Sequence, residues 1–313
     1  MLQPPSISED RVRKLLPSRN LLILIGLVLL TILAWSPFSA DNSKALYAYF
    51  LDVGQGDCIL IKTPSGRTML VDGGGRPNSP YTDVIGRNVV VPALRKQGLN
   101  RIDVVVLTHP HDDHVQGLIP VLQDFRIGMV LDPALPHGSD SYMRFLAEVK
   151  KRKIPYKRAV RGQTVNFGDG VCAIVLHPPD ERLKEVSSYL NANSVVLRVT
   201  YGSSSLLLTG DAEKKAEDEM LSAGMNVESD VLKVAHHGSR SATSEHWLDR
   251  VKPRIAVISV GQGNQFGHPS PEVLERLARR RIRVFRTDCN GAVMIRMTTR
   301  SLRVKPVFPS VKD

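Results

Sequence analysis

Residues 107–118 read LTHPHDDHVQGL, so three histidines and two aspartates fall within six consecutive positions directly after an apolar run. Polar groups crowded beside a core strand need partners, and a metal ion accepts imidazole nitrogen and carboxylate oxygen together. If the run RIDVVVLT is a strand continuing to His109, side chains two apart point the same way, and His109 and His111 reach one common point. Asp113 and His114 then fall in the first turn of a helix running through HVQGLIPVLQDF and address a neighbouring point. The spacing suits two adjacent divalent ions, one held mainly by His109 and His111, the other by Asp113 and His114. Zinc fits this donor set first, with manganese as the alternative. Asp112 faces away in this scheme and is read as capping the helix.

The rest of the chain reads as an α/β domain. ALYAYFLDVGQGDCILIKT breaks at Gly54-Gln55-Gly56 into two strands, and a TPSGR turn leads to a third, TMLVD. A helix is expected around RNVVVPALRKQG, ended by Gly98. Further strands (GMVLD, VCAIVLH, SVVLRVTY, SLLLTGD, DVLKVAHH, RIAVISV, IRVFRT, AVMIRM) alternate with helical patterns near 141–152, 212–222, 244–251 and 271–280. Cys58, Cys172 and Cys289 are odd in number, widely spaced and without a C-x-x-C, so they imply neither a disulfide framework nor a thiolate metal site. All three are expected to be buried small hydrophobes.

The front of the chain differs in kind. Leu21 to Phe38 is an uncharged apolar run of bilayer-spanning length, preceded by Arg11, Arg13, Lys14 and Arg19. We expect a basic cytoplasmic tail at 1–20, a transmembrane anchor at 21–38, a linker at 39–45, and a domain at 46–313 held outside the cytoplasm by a single-pass cell-membrane protein. A signal peptide is the competing reading, although Phe38 sits where a cut after Ala40 wants a small residue. The formal charge of +11 and pI near 9.7 favour polyanionic partners.

FLDVGQGDCILIKTPSGRTMLVDGG, LTHPHDDHVQGL, LLLTGDAE and VLKVAHHGS, in that order, resemble the metallohydrolase domain of the ComEC competence proteins, within the metallo-β-lactamase fold whose hallmark is H-x-H-x-D-H at a strand-to-helix junction. The resemblance spans roughly residues 46–300 and is to the hydrolase module alone. It implies an αββα sandwich of two mixed β-sheets with helices on the outer faces. From the residues alone Asp72 is a turn aspartate and Asp211 a helix N-cap. The resemblance instead makes Asp72 a support behind the site and Asp211 the acid bridging two metals. It also places the last histidine ligand at His236 or His237. Adjacent strand residues point oppositely, so one of the two is expected to ligate and the other to touch substrate or donate a proton.

One departure stands out. Where many enzymes of this fold carry a further histidine, NANSVVLRV offers Asn191, Asn193 and Ser194, and ComEC-like sequences share an N-x-S here. Asn193 and Ser194 are therefore expected near the site, and Ser239 and Arg240 are expected at a substrate phosphate. His177 is read as a loop residue. His268 precedes a helix with Ser270 as cap and Pro271 at its first position, and is expected either in that loop role or against substrate. The acids of LDVGQGD, Asp52 and Asp57, belong to a glycine turn or support the site.

Two metals can activate water and clamp the oxygens of a phosphodiester, so no side-chain nucleophile is needed. The expected function is a metal-dependent phosphodiesterase, a nuclease acting on single-stranded DNA in uptake or degradation through a metal-bound hydroxide. Asp113 and Asp211 are the expected catalytic acids, with His236 or His268 assisting the leaving group, and a DNA-uptake channel is a partner to look for. Two basic segments, 143–162 and 275–286, with Tyr156 and Phe285 interleaved, are read as tracking a nucleic-acid backbone. The alternatives are a cell-wall phosphoesterase acting on phosphorylcholine or teichoic-type diesters, and a non-catalytic DNA-binding component.

Overall fold

Arg101–Val106 ends in three consecutive valines and Ser204–Leu208 in three consecutive leucines, so both faces of those stretches need cover. The computed structural model, which describes residues 44–76, 83–184 and 186–306, supplies it with two stacked sheets clad by helices. The first sheet has eight strands in the order β15-β14-β1-β2-β3-β4-β5-β6, and the second seven in the order β13-β12-β11-β10-β9-β8-β7. Their ranges are β1 Leu46–Phe50, β2 Ile59–Lys62, β3 Thr68–Val71, β4 Arg101–Val106, β5 Arg126–Asp132, β6 Tyr156–Arg158, β7 Thr164–Asn166, β8 Val171–His177, β9 Val196–Tyr201, β10 Ser204–Leu208, β11 Val231–Lys233, β12 Ile255–Ile258, β13 Arg283–Arg286, β14 Val293–Met297 and β15 Leu302–Pro306. Both sheets are mixed. β1 to β3 and β7 to β10 pair antiparallel in hairpin order, whereas β3 to β6 and β10 to β13 are parallel.

Period-two alternation sorts the side chains into three apolar layers. Val104 and Val106 of β4 and Leu206 and Leu208 of β10 enter the layer between the sheets. Val105 turns the other way and meets α1 (Val91–Lys96), α3 (Leu118–Asp124) and α4 (Asp140–Lys151) through Leu94, Val121, Leu122 and Phe145. Leu207 faces α6 (Lys214–Ser222), α7 (Glu245–Val251) and α8 (Pro271–Arg279) through Met220, Trp247 and Leu277. The α4, α7 and α8 helices start at serine caps, of which Ser270 was expected: Ser139, Ser244 and Ser270 accept from Tyr142 N, Trp247 N and Val273 N.

Several expectations need correction. The helix foreseen after His111 is two, α2 (Asp112–Val115) and α3, parted at Gly117, where a Cβ would lie 1.8 Å from the Gly73 carbonyl oxygen. Backbone meets backbone there: Gly73 N donates to His114 O at 2.8 Å and Gly117 N to Gly74 O at 2.9 Å. β4 ends at Val106, so His109 and His111 sit in the loop beyond it, and β11 ends at Lys233, short of the paired histidines. Cys58 is buried as expected, but Cys172 is half-buried and Cys289 exposed. Phe285 belongs to the core between the sheets, so it is closed to bases, and the Tyr156 hydroxyl donates to buried Asp132 at 2.8 Å.

The basic segments lie at opposite edges, since β6 ends one side of the first sheet and β13 the other side of the second. In the 275–286 segment Arg279 and Arg280 pair with Glu245, Glu275 and Asp249, and Arg286 pairs with Asp288. The span expected at 21–38 lies outside the described residues. Among the described residues no helix is long and apolar enough to cross a membrane.

Candidate metal centre

The carboxyl ends of parallel strands are where open α/β sheets bind ligands, and both sheets direct theirs to one place. Asp72 follows β3, His109 and His111 follow β4, and Asp113 and His114 start α2. From the other sheet, Asp211 follows β10, and His236 and His237 follow β11 in a tight turn, Ala235–Gly238. Both histidines have positive φ, 49° and 54°, and the turn brings both rings to the site. The opposite-facing pair expected from a strand is thereby corrected.

Asp211 is the hub. Its Oδ2 lies 3.4 Å from His114 Nε2, 3.6 Å from His237 Nε2, 3.7 Å from His236 Nε2 and 3.8 Å from His109 Nε2. Asp113 Oδ2 is 3.4 Å from His237 Nε2 and 3.9 Å from His114 Nε2. Four donors about 2.0–2.1 Å from one tetrahedral ion stand roughly 3.3–3.4 Å apart, so Asp113, His114, His237 and Asp211 already have close to that spacing. His109 joins His114 and Asp211 in a second group, and His111 Nδ1 lies 2.9 Å from His109 Nε2.

The rings are aimed from behind. His114 Nδ1 donates to Asp72 Oδ2 at 2.8 Å, while Thr108 N and Oγ1 each donate to the same carboxylate at 2.7 Å. His237 Nδ1 donates to Ser259 O at 2.9 Å. Both rings therefore turn Nε2 inward, and His114 Nε2 and His237 Nε2 are buried without a hydrogen-bond partner. Carboxylate or carbonyl behind an imidazole is the usual arrangement around a ligated metal, and these orphaned lone pairs fit divalent ions.

Electrostatics agree. Burial opposes a proton on His114, but Asp211, Asp72 and Asp113 outweigh it and raise its pKa well above the usual value. The same three carboxylates would draw a cation. Burial, with His114 alongside, holds His109 well below the ordinary range and keeps it neutral. Asp211 stays ionised because His237, His114 and His236 more than offset its burial.

Beneath the site lies a residue that sequence reading passed over. Lys233 is fully buried, its Nζ against Asp57 Oδ2 and 2.9 Å from Gly210 O. A charge inside the apolar strand VLKVA was the available signal. Asp57, left open as a turn residue or a support, also lies 3.6 Å from His237 Nδ1 and 3.9 Å from His114 Nδ1, whereas Asp52 is exposed and accepts from Gly54 N. Glu213, likewise unforeseen, sets Oε1 3.3 Å from His236 Nδ1.

The remaining expected residues divide. Ser194 Oγ accepts from Asp211 N at 3.4 Å, and Asn191 Nδ2 is 3.5 Å from His236 Nε2. Asn193, at the end of α5 (Tyr189–Ala192), departs from expectation: its amide is used up on Leu183 N, Leu183 O and Tyr189 O, fastening a loop. Ser239 Oγ shares a hydrogen bond with Ser241 Oγ, and Arg240 is exposed. Asp112 makes no cap; it lines the cleft over the site with a buried, unpartnered Oδ1. His268 lines that cleft too, its ring 5.6 Å from His236, and burial together with His236 and His237 brings its pKa down to about 4, which suits an acceptor better than an acid. His177 is no loop residue; it closes β8 and is buried, with Nδ1 donating to Ser194 O at 3.0 Å.

Residues 51–183 match the Metallo-beta-lactamase superfamily. The chain is 32% identical over 261 residues to ComE operon protein 3 of Bacillus subtilis (strain 168), a match covering 80% of this chain and 33% of that protein. It is 29% identical over 268 residues to Competence protein ComA of Neisseria gonorrhoeae, covering 85% and 34% respectively. The chain thus spans about a third of the length of the curated relatives it matches. Among solved structures, a mutant of the CmlA beta-hydroxylase aligns with a TM-score of 0.51 at 14% identity over 80% of this chain and 54% of that one, a likeness of fold alone.

Proposed function

We propose, from the match of residues 51–183 to the Metallo-beta-lactamase superfamily and the likeness to competence proteins, that this chain is a two-metal phosphodiesterase that cuts single-stranded DNA. In this reading residues 21–38 anchor it in the cell membrane with the domain outside the cytoplasm, where a DNA-uptake channel would be its partner. The observation that carries the chemistry is the convergence of Asp113, His114, Asp211 and His237, with His114 Nε2 and His237 Nε2 turned inward and left unpartnered.

Zinc or manganese held there would polarise the phosphoryl oxygens and make water acidic enough to attack near neutral pH. The side chains do the rest. Asp211 reaches both donor groups, Asp72 and Ser259 O lock the His114 and His237 tautomers, and Lys233 with Asp57 props the floor. His236, half-buried at the cleft with Glu213 behind it, is the ring placed to hold or pass a proton to a leaving oxygen.

The test compares cleavage of labelled single-stranded DNA and of bis(p-nitrophenyl) phosphate by the zinc- or manganese-loaded protein, with Asp211→Ala beside it. DNA cleavage reduced to background in the variant is expected, and unchanged turnover there would overturn the two-metal reading. Cleavage of the small diester with DNA untouched would assign the site to wall or lipid phosphoesters. DNA bound but never cut would mark a binding component.

A further inference from the structure

The cleft over the metal centre does not end at the centre. Its volume is about 430 Å³, and a second cleft of about 390 Å³ adjoins it, with Gln55 and Phe266 lining both. Each is large enough for a ligand of nucleotide size. Beyond the shared wall the second cleft is lined by Gly54, Gly75, Ile85, Val89 and the exposed Asp52 and Arg76.

Phe266 is 49% exposed, one of three large hydrophobics in that state among the described residues. Its loop is firmly built. Asn264 Oδ1 accepts from Phe266 N at 3.2 Å and His268 N at 3.0 Å, and Asn264 Nδ2 donates to Gly261 O at 3.0 Å and His268 O at 2.6 Å. Gly261 N donates to Gln55 Oε1 at 3.2 Å, tying the loop to the opposite wall. One face of the Phe266 ring stacks on His268, with centroids 5.8 Å apart and planes at 26°. A rigid loop thus presents an aromatic face to water beside a catalytic cleft, against the general preference for burying such rings.

We propose that Phe266 is a stacking platform for a base of a single-stranded nucleic acid whose phosphodiester lies at the metal centre, the strand crossing the Gln55–Phe266 wall so that Arg76 meets the next phosphate. This rests on the nuclease reading and adds the route of the strand. An aromatic face beside a cation is the general means of holding single strands without reading sequence, and it takes the part first expected of Phe285.

The experiment measures fluorescence anisotropy of a labelled oligothymidylate and of an abasic strand of equal length, with the full-length protein in chelator so that nothing is cut. The wild type binds the base-bearing strand about tenfold tighter than the abasic one, in the range of one stacked base. Phe266→Ala removes that preference without weakening abasic binding, Phe266→Trp keeps it, and turnover of bis(p-nitrophenyl) phosphate by the metal-loaded Phe266→Ala protein is unchanged. Arg76→Ala weakens both strands alike and lowers the salt slope by about one. A preference that persists in Phe266→Ala, or one absent from the wild type, overturns the inference. If DNA is cut in either of those cases, the nuclease reading stands; if neither strand is bound or cut, both fall.

Discussion

At the scale of single residues, the site depends on groups that never touch substrate. Asp72 sits at φ 59°, a conformation asparagine tolerates, so Asp72→Asn changes charge and acceptor strength with little strain. It should weaken zinc binding about 10–100-fold while the fold persists, as read by competition with a chromophoric chelator. Lys233→Met takes from the buried Asp57 carboxylate the cation nearest to it. Breaking such a pair costs about 3–5 kcal/mol, and adding Asp57→Asn should restore most of it in urea denaturation. The histidine cluster announced itself because its ligands lie within six positions. The Asp57–Lys233 pair stayed hidden, since a lone aspartate in a glycine turn and a lone lysine in a strand acquire meaning only when two sheets are stacked.

At the scale of elements, helices with serine caps and strands with continuous apolar runs were legible, because local chemistry specifies both. β6, β7 and β15 were not. They are short edge strands, β6 and β7 largely exposed and β15 only half-covered, and only their neighbours make them strands. The turn bearing His236 and His237 was misread for a related reason: two consecutive positive φ values are imposed by the site, not by residue preference. β8 carries a pH-sensitive end. Burial, with Arg161 and Arg182 nearby, brings His177 down to about 4. The unfolded chain therefore takes up a proton first as pH falls, and the stabilisation present above pH 6.5 is lost towards pH 4. His177→Gln should remove about 3 kcal/mol of that decline, measured as the difference between the two proteins' denaturation curves across this range.

At the scale of the molecule, the architecture was readable from motif order, but the fate of the charge was not. Arg279, Arg280 and Arg286 are spent on neighbouring acids, the first two through the way α7 and α8 lie together. The centre takes donors from both sheets, so an ion there joins the two halves. Zinc at a hundred times its dissociation constant should add about 2.7 kcal/mol to stability, seen as a higher melting temperature that chelator reverses; a melting temperature indifferent to zinc would speak against a site spanning the sheets.

The split donor set also has a consequence in time. A ribosome delivers His109 to His114 well before Asp211, and His236 and His237 later still. A chain stalled, clipped or half-folded between those points holds one jaw of the site without the other. For a protein proposed to cut DNA this is a safety catch, since the cutting edge exists only once the second sheet has closed on the first, and no unfinished copy is armed.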